Sequence, residues 1–250
     1  MITRNIKSIG IELEGGLDEV EYQLLEDYVR EKELEEYYSV TSDGSVYVGE
    51  KDIDNIEIRF WHHNLKTFFS FIKKVYELGF EQNSTCGNHV HFRFTDTERA
   101  KSIFGYSPIW RLFVKEYVEY ANELGEKKWS KYMARLESRW CKPRYSKRAV
   151  IRQLSTPLRS RSRYKAINLN SFNLHGTLEI RILPYFEDYK EAKKSITWLI
   201  GVIDKLYSVK DILLARAKGD VKVARLIKEW EIEKKKVLSF YEVKKVRIDV

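Results

Sequence analysis

Residues 8–14 alternate Ile9, Ile11 and Leu13 with Gly10, Glu12 and Glu14, the period-two pattern of a strand with one face buried. The pattern recurs three times. Over 55–60, Ile56, Ile58 and Phe60 oppose Glu57 and Arg59. Over 87–94, Val90, Phe92 and Phe94 oppose His89, His91 and Arg93. Over 177–183, Leu178, Ile180 and Ile182 oppose Glu179 and Arg181. A further strand is predicted over 164–172, joined to the last by the turn-like Asn173-Leu174-His175-Gly176. Short strands are predicted around Val40 and over 46–48, on either side of the turn Ser42-Asp43-Gly44-Ser45.

Helical periodicity fills the intervals. An acidic amphipathic helix is predicted over 18–38, and another over 65–78 with Gly79 as its C-terminal stop. Helices over 97–124, interrupted near 105–108, and over 129–140 follow the histidine strand. The chain turns helical again over 189–207, with further charged helix to about residue 240. Helices inserted between strands that can pair antiparallel make an α+β fold. No internal repeat or low-complexity tract stands out.

Composition narrows the class. With 250 residues, 43% hydrophobic and 14% aromatic, the chain can bury a sizeable core, and no stretch is apolar enough to span a bilayer. Residues 1–7 have no apolar leader core, and Cys86 and Cys141 alone build neither a disulfide framework nor a zinc site, so a reducing cytoplasm is expected. Charged residues are 33% of the chain against three glutamines, a bias of proteins from hot environments. A net charge of +8 favours acidic partners: nucleotide phosphates, nucleic acid or acidic peptides.

The four alternating strands carry the chemistry. If they share one sheet, their apolar faces meet helices, and Glu12, Glu14, Glu57, Glu179, His89 and His91 converge on the other side with Arg59 and Arg181. So many carboxylates would repel one another without a cation. Oxygen-rich donors with a histidine suit Mg²⁺ or Mn²⁺ better than zinc, which prefers cysteine and histidine partners. Taken singly, Glu57 with Arg59 or Glu179 with Arg181 is an ordinary surface ion pair; together the faces are almost purely Glu, His and Arg.

Residues 141–165 are a long basic loop, with Arg144, Lys147, Arg148, Arg152, Arg159, Arg161, Arg163 and Lys165 beside Pro143 and Pro157. It can grip nucleotide phosphates through guanidinium groups, or serve as a solvated or nucleic-acid-binding surface. No Gly-rich phosphate loop is present, so a nucleotide would be held by cations and arginines. His62-His63 read as a loop feature, and Cys86 as a small buried residue.

The motifs GIELE, SDGS, the Glu57-Ile58-Arg59 strand, STCGNHVHF, RYKAINLNSF and GTLEIRIL follow one another in an order that resembles the amidoligases, carboxylate–amine ligases related to glutamine synthetase and glutamate–cysteine ligase. The resemblance runs from about Ser8 to Tyr207. It implies a glutamine-synthetase-like catalytic domain over 1–208, a curved, mainly antiparallel sheet with helices on one face; outside it, the pattern predicts a charged helical extension over 209–250 packed on that domain. It implies Mg²⁺ (or Mn²⁺) and ATP, with Glu12, Glu14, Glu57, His89 and Glu179 as metal ligands. His91 matches the nucleotide- or substrate-facing neighbour. Arg181 and Arg163, with Arg161 beside the latter, match the arginines that hold the transferred phosphoryl group. Asp43 lies in the family's D-G-S turn. The chain departs from many relatives after Glu57, where Arg59-Phe60-Trp61 replace a small residue and proline; this touches substrate preference and not the metal set. The implied activity is amide or isopeptide formation between a carboxylate substrate and an amine acceptor (amino acid, peptide or protein). Two other readings of the residues remain open: a basic nucleic-acid-binding protein, and a metal-dependent hydrolase using the same Glu/His cluster.

Overall fold

The computed structural model describes residues 2–48, 53–105, 108–138, 140–141, 150, 153–154 and 164–217. Its strands are β1 (Ile6–Asp18), β2 (Tyr38–Ser42), β3 (Ile53–His62), β4 (Gly87–Phe94), β5 (Ile167–Asn168) and β6 (Leu178–Pro184). They form one open sheet in the order β2-β3-β1-β4-β6-β5, every neighbouring pair antiparallel. Helices α1 (Glu19–Glu31), α2 (Leu65–Glu77), α3 (Thr97–Phe104), α4 (Pro108–Glu123), α5 (Glu126–Glu137), α6 (Ser171–His175) and α7 (Tyr189–Ala217) complete an α+β fold.

The alternation read from the sequence decides which side is core. Ile9, Ile11, Leu13, Ile58, Phe60, Val90, Phe92, Leu178, Ile180 and Ile182 are buried in one cluster with Leu25, Phe68, Phe71, Ile72, Ile103, Phe113, Ile196 and Ile203 from the helices. Each such side chain contributes about 1.5–3 kcal/mol on leaving water, so this layer fixes the strand register. Local signals agree at the helix ends. Asp18 closes β1 and caps α1, accepting from the Glu21 amide at 2.7 Å while Glu21 accepts from the Asp18 amide. Asn64 caps α2, and Gly79, at φ 83°, ends it in the left-handed conformation that glycine adopts freely.

Three expectations are corrected. The helix predicted over 18–38 ends at Glu31; Glu33 takes φ 56°, a 3-10 turn spans Glu35–Tyr37, and Tyr38–Ser42 pair with Phe60–Ile56. The strand predicted around Val40 is present as β2; the helix stops short of it because Glu33 leaves the helical conformation and residues 35–37 form the turn that leads into that strand. Val46 and Val48 are buried against Cys86 in a loop and not in a strand. The strand predicted over 164–172 shrinks to the two residues of β5, because the buried Gln153 side chain takes the Leu169 amide at 2.8 Å and the chain then coils into α6. The predicted break near 105–108 separates α3 from α4.

Most of the basic segment, including Arg161 and Arg163, lies outside the described residues, as does the predicted helix beyond residue 217. Among the described residues, no helix is long and apolar enough to cross a membrane.

Candidate metal centre

Strand register places the polar side chains in rows across the sheet. Glu12 of β1 lies between Arg59 of β3 and His89 of β4. One step along, Glu14 faces Glu57 directly. One step the other way, Gly10 separates Trp61 from His91, and His91 faces Glu179, which in turn faces Asn168 of β5. The β4–β6 pairing shifts register between Asn88 and Val90, which pair with Leu183 and Ile180, so Arg181 and Ile182 together oppose the single His89. Such bulges commonly sit beside functional sites, where they re-aim side chains.

The rows bring together Glu12, Glu14, Glu57, His89, His91, Glu179 and Arg181, all the described residues that the motifs had nominated. His89 is at the centre. Its side chain is 4% exposed, with Nδ1 2.8 Å from Glu12 Oε2 and 3.9 Å from Glu179 Oε1, and Nε2 3.4 Å from Glu14 Oε1. Two sets therefore offer converging ligand atoms, Glu12–His89–Glu179 and Glu14–Glu57–His89, each with its atoms within 4.8 Å of one another.

Electrostatics distinguish the two sides of His89. Burial pushes the Glu12 carboxyl up, but the charge of His91 and hydrogen bonds from both histidines hold it well below the usual carboxylate range. Burial likewise opposes ionisation of Glu179, and Arg181 and His91 override it. Glu57 goes the other way: burial and the neighbouring Glu12 charge push its carboxyl up, more than His89 and Arg59 bring it down.

An ionised Glu12 can only accept, so in neutral His89 the proton sits on Nδ1. The lone pair on Nε2 then faces the Glu14 carboxylate at 3.4 Å, an acceptor–acceptor contact that requires a proton or a cation between them. Carboxylate oxygens with one imidazole nitrogen make a donor set that fits a hard divalent ion. Because a neutral imidazole has one lone pair, His89 serves one of the two sets at a time.

His91, expected to face nucleotide or substrate, lies beside Glu12 on the same sheet face. Its Nε2 lies 3.2 Å from Glu12 Oε1, and its Nδ1 lies 3.0 Å from Thr177 Oγ1, with Ser171 Oγ at 3.4 Å. Burial pulls its pKa down, yet the Glu12 and Glu179 charges hold it above the ordinary histidine value. Nδ1 is held by Thr177 and Ser171, whereas the buried Nε2 lies within ion-pair distance of Glu12 and has no hydrogen-bond partner of proper geometry.

Several partners were not nominated by the motifs. Asn168 donates to Glu179 Oε2 at 2.7 Å, Thr177 and Ser171 hold His91, and Arg135 reaches the sheet from α5. Asn168 had a visible signal, an amide alternating with Ile167 and Leu169; Arg135 had none, because a helix residue's reach depends on tertiary packing. Asp43 is outside the cluster and accepts from the Ser45 amide and hydroxyl at 2.8 and 2.6 Å, which makes its D-G-S sequence a turn device. Cys86 is buried, as expected, and burial raises its thiol pKa.

No family model, curated protein or solved structure matches the chain. The cluster's capacity for a metal ion rests on its own geometry.

Proposed function

We propose that this chain is an ATP- and Mg²⁺-dependent carboxylate–amine ligase of glutamine-synthetase-like organisation, with Mn²⁺ able to replace Mg²⁺. The observation that carries the reading is the pair of Glu/His sets sharing His89 on one sheet face, flanked by Arg59 and Arg181. Glu12, Glu14, Glu57, His89 and Glu179 would hold the metal. A bound divalent ion neutralises phosphate oxygens and lowers the barrier to phosphoryl transfer.

In this reading the γ-phosphoryl group of ATP passes to an oxygen of the substrate carboxylate, breaking the bond to the β-phosphate oxygen and giving an acyl phosphate and ADP. The amine then attacks the carbonyl carbon, phosphate leaves with the C–O electron pair, and the amine nitrogen gives up a proton. Arg181 supplies a fixed cation on the face where the phosphoryl charge is handled, with Arg161 and Arg163 of the basic segment as further candidates. His91 keeps Glu12 in place, and Asn168 does the same for Glu179. The carboxylate and amine substrates are named by class only.

Calorimetry of the full chain with ATP tests the proposal. ATP binding is expected in Mg²⁺, and it should be abolished by a chelator and weakened by about tenfold or more in Glu12→Ala/Glu14→Ala. Absence of Mg·ATP binding, or binding indifferent to both changes, would overturn the reading. ATP-independent cleavage of a peptide or ester would replace it with a hydrolase. Chelator-insensitive RNA or DNA binding with a steep salt dependence would replace it with a nucleic-acid-binding protein.

A further inference from the structure

Four described arginines lie on the carboxylate face or contact its strands, Arg59, Arg93, Arg135 and Arg181, and their charges are in different states. Arg59 is paired with Glu57, and Arg181 with Glu179. Arg135 comes from α5 and, among the described residues, has no carboxylate within ion-pair distance. Its Nη2 donates to the main-chain oxygen of Arg181 at 3.0 Å, and its buried Nε, like those of Arg59 and Arg181, has no hydrogen-bond partner.

Its position is set by the motif glycine. A Cβ placed on Gly87 would lie 2.3 Å from Arg135 Nη2 and 2.9 Å from Nη1, so the guanidinium fills the space over β4 that this glycine leaves open. The Gly87 amide in turn donates to Glu14 Oε2 at 2.6 Å, which puts the guanidinium beside the Glu14–Glu57–His89 set. A planar charged fork without a carboxylate partner among the described residues, at the edge of a carboxylate cluster that can hold a cation, matches an anion that bridges the two.

We infer that Arg135, seated on Gly87, is an anion subsite of the centre and takes non-bridging oxygens of the phosphoryl group being transferred. The phosphoryl assignment rests on the ligase reading; the subsite itself rests on the unpaired guanidinium. Arg59 and Arg181 have their charge committed to Glu57 and Glu179, and Arg93 is exposed with its Nη2 on the His175 main-chain oxygen, so among the described residues Arg135 is the arginine beside Glu14 with charge left to give. Its identity also explains a motif position: any side chain at 87 displaces it.

The test uses the full chain and two variants. Arg135→Gln removes the charge and keeps a donor for the Arg181 carbonyl. Gly87→Ala keeps the charge and pushes the guanidinium off its seat. Mn²⁺ affinity is read by electron paramagnetic resonance, and binding of inorganic tripolyphosphate, ATP and ADP, with Mn²⁺ present, by calorimetry. Both variants are expected to hold Mn²⁺ as wild type does and to weaken tripolyphosphate and ATP by about tenfold or more, ADP less. Unchanged tripolyphosphate affinity overturns the subsite, as does parallel loss of Mn²⁺ in both variants, which would make Arg135 a structural counter-charge. If wild type binds tripolyphosphate through Arg135 but does not bind ATP, the subsite is kept and the ligase reading falls. If wild type binds neither, both fall.

Discussion

The two faces of this sheet are built from the same residues' backbones and obey opposite rules. On one face Ile9, Ile11, Leu13, Ile58, Phe60, Val90 and Phe92 are almost wholly buried in one hydrophobic cluster. On the other, Glu14 faces Glu57 across β1 and β3, Glu12 and Glu179 close on His89, and two arginines are consumed in neutralising them. The first face gains from every contact. The second carries like charges whose repulsion an apolar design would avoid, and such residues persist where they do chemistry. Stability and binding should therefore separate cleanly by face, even between adjacent residues of one strand.

The strongest test of that separation is on β4, where Phe92 follows His91. Phe92 is fully buried. Phe92→Ala is expected to destabilise the fold by about 3–5 kcal/mol through lost transfer energy and the cavity left behind. Its Mn²⁺ affinity below the melting transition should match wild type. Denaturant unfolding with and without Mn²⁺ checks both, and a loss of metal affinity in the folded variant would show that the two faces are coupled.

A smaller effect of opposite character is expected at Glu57. This carboxylate faces Glu14 directly, with Arg59 as its ion-pair partner. Glu57→Gln removes one of two opposed negative charges, so the metal-free protein should be unchanged or more stable by up to about 1 kcal/mol. Mn²⁺ affinity should fall about tenfold or more, because one set loses an anionic ligand. The stabilisation that saturating Mn²⁺ gives wild type, about 2.7 kcal/mol at one hundred times Kd, should shrink accordingly in thermal melts. Clear destabilisation of the metal-free variant would mean that the Arg59 pair outweighs the repulsion.

The same division explains what could be read from the chain. The core face and most of the Glu/His cluster that could hold a metal ion were legible together, because one period-two pattern assigns both sides of β1, β3, β4 and β6. What failed depended on distant partners. The helix predicted to reach residue 38 stops at Glu31, ahead of the strand expected around Val40, and residues 169–172 leave the ladder because Gln153, sixteen positions before Leu169, takes its amide. Arg135 belongs to the same class: its sequence context is an ordinary amphipathic helix, and only the packing of α5 beside β6 brings it over Gly87. His91 lies on the polar face as its alternation predicts, but its partners Ser171, at the start of α6, and Thr177, just before β6, are brought to it by a local coil that the pattern did not contain.

The smallest effect is the finest probe of the polar face. Gly10 lies in the middle of β1, between Trp61 and His91, where a Cβ would meet the Cβ atoms of both at 3.4 Å. That is ordinary contact, so nothing in the packing demands glycine here, and φ is not in the left-handed region. Glycine in a strand interior costs roughly 0.5–1 kcal/mol relative to alanine through the entropy it loses on folding. Gly10→Ala should thus raise the melting temperature by about 1–4 °C and leave Mn²⁺ affinity unchanged. A fall in melting temperature would show that the row is already full. A rise accompanied by weaker ATP binding would show that the space beside the exposed Trp61 is part of the ligand's path, open for binding at the expense of stability.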